Sequence, residues 1–152
     1  VETFDHGTFA VEYVRKGHYI ESGDAEQLNV EFAKLRDIKF EYNSAVIKEE
    51  SFGNLDYIIA MLKLEQGFTL RIDAHTCSQG THDYNMDLSN RRADSVLQYF
   101  VSKGLDKTRF DVEGHAETMP IASNNTEEGK ALNRRVEFTI IFEPKITEND
   151  KF

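Results

Sequence analysis

The sequence is poor in cysteine, poor in positive charge and without a long apolar run, and each deficit narrows what the chain can do. Cys77 is the only cysteine among 152 residues, so no intrachain disulfide can form and the redox compartment is left open. Lysine and arginine number 18 against 27 acidic residues, a formal net charge of −9. No basic stripe offsets that balance, so neither nucleic acid nor an anionic membrane surface is expected as the main partner, because both reward clustered cations. No apolar stretch approaches the ~18 residues that a bilayer-spanning helix requires. The start, Val1-Glu2-Thr3-Phe4-Asp5, lacks the basic-then-apolar pattern of a leader. The chain as given is expected to be soluble, which is compatible with a piece cut from a larger, targeted protein. Internal repeats and low-complexity segments are missing as well.

What is present suits a folded domain. Hydrophobic residues make up 39% and charged residues 30%, an ordinary globular balance, and the length supports one well-buried core better than two. Between Thr8 and Arg15, Phe9, Val11 and Tyr13 alternate as in a strand, and Leu28, Phe32 and Leu35 recur at helical spacing before Arg36. Residues 1–36 are read as an appendage. From Asp37 onward the pattern sharpens. Ile38, Phe40 and Tyr42 predict a strand, and Phe52, Leu55, Ile58, Ile59 and Leu62 share one helical face, with Gly67 placed to end that helix. Leu70, Ile72 and Ala74 alternate with Thr69, Arg71 and Asp73 in a second strand, followed by a polar loop over 76–84. A helix is predicted from about Asn85, presenting Leu88, Ala93, Val96, Leu97, Phe100 and Val101 inward until Gly104. Phe110 and Val112 begin a third strand that breaks at Gly114-His115, and 117–133 reads as loop with one helical turn. Val136, Phe138, Ile140 and Phe142 mark a final strand with an apolar face. Phe40, Phe68, Phe100, Phe110 and Phe138 are assigned to the core, Asp111 and Glu113 to a solvated face, and 144–152 to a frayed tail. The order βαβαββ predicts an α/β protein of the α+β sandwich type, with a mixed parallel and antiparallel sheet and helices packed on one face.

Four segments in order carry a resemblance to the OmpA/Pal/MotB family of C-terminal peptidoglycan-binding domains. They are the run from Ile38 to Ala45, Ile72-Asp73-Ala74-His75-Thr76, the run from Asn85 to Ala93, and Asn133-Arg134-Arg135-Val136-Glu137. The similarity spans roughly residues 37–143. It implies a noncatalytic domain that binds a diaminopimelate-type residue of a peptidoglycan stem peptide. Such a domain would tether an outer-membrane or envelope-machine protein to the cell wall from the periplasmic side, with no cofactor and no metal. It places an arginine that pairs with a ligand carboxylate at Arg92, a role that the planar fork of a guanidinium suits chemically. Asn43 and Thr76 match positions that line the same groove. The family aspartate that receives the ligand ammonium is here Cys77, and a preceding family glycine is Ala74. A neutral thiol cannot replace that charge-assisted bond, worth on the order of 1.5–3 kcal/mol. Three explanations stand open: the amine is recognised otherwise, through Asp73, Asp83 or Asp87; the fold has become a structural or protein-interaction module that no longer binds the wall; or the aspartate was replaced by engineering.

His75, Asn85, Leu88, Arg134 and Arg135 are assigned supporting roles around the groove. Arg134 and Arg135 precede a strand and so point to opposite faces, one to buttress the groove and one to solvent. Arg91, about 100° from Arg92 around the helix, is assigned to the surface. His75, Cys77, His82 and His115 invite a zinc site, but His-x-Cys is not a zinc signature. A Cys77–histidine hydrolase would need an orienting third group and an oxyanion site, neither of which the sequence suggests.

Overall fold

Strand β1, Phe68–His75, is the centre of the sheet because it has hydrogen-bonding partners on both sides. In the computed structural model, which describes residues 29–142, it pairs in parallel with β2, Phe110–Gly114, and antiparallel with β3, Arg135–Phe142, giving the order β2-β1-β3. A parallel partner requires a crossover, and helix α2, His82–Ser102, supplies it between β1 and β2. Helix α1, Phe52–Leu64, precedes β1 after a 3-10 turn at Glu49–Ser51, and a short helix α3, Glu127–Asn133, leads into β3.

The two-residue period decides which face of the sheet is dry. Leu70, Ile72 and Ala74 lie beside Ile140, Phe138 and Val136 in register, and all six are buried. They form one cluster with Leu55, Ile58 and Leu62 of α1 and Val96 and Phe100 of α2. Each such aliphatic or aromatic side chain contributes about 1.5–3 kcal/mol when fully buried. The mixed α/β class read from the sequence is the architecture found. Phe32 and Leu35 join the same core at 0% exposure. The expected strand at 8–15 and the tail at 144–152 lie outside the described residues.

Three expectations are corrected. Residues 38–42 do not form a strand of the sheet. Phe40 makes one isolated antiparallel bridge to Ile47, the chain reverses at Asn43 with φ of 51°, and Tyr42 is 89% exposed. Alternation over five residues is satisfied equally well by a tight reversal that folds back on itself. Helix α2 starts at His82 rather than Asn85, because the Thr81 hydroxyl accepts a hydrogen bond from the Tyr84 N–H and caps it. Helix α1 ends at Leu64, with Glu65 rather than Gly67 at its C-cap.

The outer edge of β3 is occupied by side chain and loop rather than by a fourth strand. Asn29 receives the Ile140 N–H on Oδ1 at 2.7 Å and donates Nδ2 to the Ile140 carbonyl at 3.4 Å, while the Val136 N–H donates to the Arg36 carbonyl at 3.0 Å.

Candidate functional site

The carboxyl end of β1, the first turns of α2, the reversal at 40–48 and the start of β3 enclose a cavity of about 460 Å³. Arg92, Asn43, Thr76, Cys77, His75, Asn85, Leu88, Arg134 and Arg135 all line it. Residues from both ends of the similarity are thus brought to one place by the crossover and the antiparallel return of β3.

Arg92 projects from the middle of α2. Its Nε donates to the Ser44 carbonyl at 2.9 Å, and its guanidinium carbon stands 4.8 Å from the centre of the Phe40 ring. That cation–π contact and the carbonyl fix the direction of the fork while leaving its Nη groups without a protein acceptor among the described residues. Burial draws the Arg92 pKa below the ordinary arginine value, and the positive charges of Arg91 and Arg134 act in the same direction. Phe40, expected in the core, is half-buried and serves as the platform for this arginine. Tyr84 was placed in a loop by sequence, yet from the first turn of α2 its hydroxyl donates to Asn43 Oδ1 at 2.8 Å. No local pattern marks these supports, because the reversal at Asn43 creates them.

Cys77 is buried, and its carbonyl accepts from the Thr76 hydroxyl at 2.9 Å and from Asn85 Nδ2 at 3.4 Å. Its Sγ lies 3.5 Å from Arg134 Nη1 and 3.8 Å from Gln79 Oε1. Arg134 and Arg135 diverge as β alternation requires. Arg135 is buried and donates to Glu137 Oε2 at 2.9 Å and to the Met119 carbonyl at 2.9 Å. The preceding Asn133 ties down the loop before α3, accepting the N–H groups of Ile121 and Ala122 on Oδ1 at 2.8 and 3.0 Å.

His75 meets Glu137 Oε1 on β3 through its Nε2 at 3.2 Å, and its ring stacks on His115 at 4.8 Å. Desolvation lowers its pKa, with Arg135 adding to the effect. The four residues that invited a zinc site do not converge. The grouping of possible ligands among the described residues is Asp73, Glu113 and His115 on the outer face of the sheet, with their ligand atoms within 4.8 Å of one another. There the guanidinium of Arg71 already bridges Asp73 at 3.1 Å and Glu113 at 2.7 Å. Among the described residues, no histidine is a hydrogen-bond partner of the Cys77 sulfur.

His82, at the start of α2, meets the Glu117 carboxylate at 3.0 Å, which raises the histidine pKa and lowers that of the glutamate. The raised pKa gives stability that is complete below the usual histidine value of 6.5 and lost as pH rises through the elevated one. The lowered pKa gives stability present above the usual 4.5 and lost as pH falls. Both operate together only in mildly acidic solution. His82→Gln is therefore expected to lower the urea midpoint more at about pH 5.5 than at about pH 8.5; an equal loss at both would remove the ion pair as the cause.

The OmpA family profile matches residues 39–134. The chain is 43% identical over 105 residues to outer membrane protein A of Bordetella avium, covering 69% of this chain and 54% of that protein. It is 35% identical over 124 residues to the peptidoglycan-associated lipoprotein of Pseudomonas putida, covering 80% of this chain and 74% of the lipoprotein. Among solved structures, the cell wall anchor of the T6SS from Pseudomonas aeruginosa matches with a TM-score of 0.62 at 25% identity, over 84% of this chain and 100% of that one. The chain spans from about a third to about half of the length of several relatives that it matches. No helix among the described residues is long and apolar enough to cross a membrane.

Proposed function

Because this chain belongs to the OmpA family, we propose that it is a noncatalytic anchor that binds peptidoglycan stem peptide in the cavity beside α2. From the periplasmic side it would tether an outer-membrane or envelope-machine protein to the wall. The names of its relatives, a peptidoglycan-associated lipoprotein and a cell wall anchor, support the class of partner. The observation that carries the reading is Arg92. Among the described residues it has no carboxylate partner, although it is half-buried, clamped through Nε and stacked on Phe40. A guanidinium so fixed, with its terminal nitrogens facing a cavity, suits the carboxylate of a diaminopimelate-type residue. Binding uses preformed geometry and requires neither metal nor cofactor. Asn43, held by Tyr84, offers a polar contact at the rim, while Thr76 acts through the Cys77 carbonyl that it holds.

Cosedimentation with purified sacculi tests the proposal. Arg92→Ala removes a charged, bidentate contact worth about 1.5–3 kcal/mol, so affinity is expected to fall roughly ten- to a hundredfold while the fold persists. Arg92→Lys keeps the charge but loses the fork and should recover only part of the binding. Wild-type and Arg92→Ala proteins pelleting equally would reject the site and return the fold to a protein-interaction role.

A further inference from the structure

The Cys77 end of the cavity has an electrostatic character that constrains which stem peptide it takes. Two guanidinium groups, Arg92 and Arg134, face this region, and among the described residues neither is paired with a carboxylate. Two acidic residues line the cavity, and both are engaged elsewhere. Asp37 is 67% exposed and holds Lys39 Nζ at 3.3 Å, and Glu127 is 80% exposed and holds Lys130 Nζ at 3.3 Å. The hydrogen-bonding partners of the Cys77 sulfur among the described residues are Arg134 and the neutral amide of Gln79.

An ammonium entering beside Cys77 would shed hydration, gain no anion in return and meet the positive charge of Arg134. A neutral amide at the same place avoids all three costs. Its carbonyl can accept from Arg134, and its N–H can donate to Gln79 Oε1. We propose that this pocket takes stem peptide whose side-chain amine is acylated, as it is in a peptide cross-link, in preference to stem peptide whose amine is free. Cys77 and Arg134 set that preference, one by withholding an anion and the other by supplying a cation. The inference rests on the peptidoglycan reading above and names the chemical form of the peptide that this site selects.

Calorimetric titration of the 152-residue chain with two synthetic tripeptides provides the test. Both end in diaminopimelate, one with the side-chain amine free and one with it N-acetylated. The wild type is expected to bind the acetylated peptide at least about threefold more tightly. Cys77→Asp supplies the missing anion and is expected to reverse the order, favouring the free amine by about tenfold or more. Arg134→Gln, a change at an exposed residue that removes the cation beside the sulfur and keeps Cys77 itself, is expected to bring the two affinities together. A wild type that prefers the free amine, or an order that neither substitution alters, overturns the proposal. If neither peptide binds while sacculi still carry the protein into the pellet, the assigned ligand form is wrong and the anchoring role survives. If sacculi also leave the protein in the supernatant, both readings fall.

Discussion

Gly129→Ala is expected to destabilise the protein by about 3 kcal/mol, at the upper end of what overpacking usually costs. Helix propensity alone gives the opposite sign, since replacing glycine by alanine inside a helix ordinarily gains ~1 kcal/mol. The local geometry decides the outcome. A methyl group at residue 129 would overlap the Ser123 carbonyl oxygen and lie 2.9 Å from Thr126 Oγ1, and the first of these is backbone. Thr126 cannot retreat freely, because its hydroxyl caps α3 by accepting the Gly129 N–H at 2.9 Å. Moving Ser123 would also disturb the loop that Asn133 holds through Ile121 and Ala122. Urea or thermal unfolding reads the effect directly, as a fall in Tm of roughly 6–12 °C. A midpoint unchanged or raised would show that propensity outweighs the clash.

Arg109→Met is expected to cost about 2–3 kcal/mol, because one side chain serves as donor to three backbone carbonyls. Its Nη1 donates to Leu62 at 2.7 Å, and Nη2 donates to Glu65 at 2.8 Å and to Phe68 at 3.1 Å. The first two belong to the end of α1, where carbonyls lack partners within the helix and a cation is favoured by the helix dipole. The apolar stem of methionine keeps the packing of the arginine chain but satisfies none of these oxygens. Arg109→Lys can reach one carbonyl at a time and is expected to recover less than half of the loss. Denaturant titration of the three proteins at equal m-value measures this, and a lysine variant as stable as wild type would contradict the multidentate role.

How much of this was legible in the sequence depended on the length of the pattern. β1, α2 and β3 extend over 8, 21 and 8 residues, long enough for a period of two or of 3.6 to declare itself. The segment 38–42 was too short, and its alternation could not say whether the partner was a sheet or its own continuation. Helix α3 has only seven residues and contains a glycine, so its composition foretells no more than the single helical turn read within 117–133. It is held by the Thr126 cap, a local contact three residues from Gly129, and by the side chain of Asn133, which reaches back 12 residues to Ile121. Arg92 was found through a resemblance of motif. Phe40, Ser44 and Tyr84, which orient or frame it, were not, because their proximity follows from a chain reversal more than 35 residues away. Arg109 was overlooked for the same reason: its acceptors are 41 to 47 residues distant.

The Asn29 side chain on β3 matters beyond local bonding. By matching both the donor and the acceptor of Ile140, it imitates one rung of a neighbouring strand. A sheet whose rim is already answered offers little template to a second molecule, and at the other rim β2 is only five residues long. Strand-to-strand pairing between copies of this chain is thereby disfavoured at both rims.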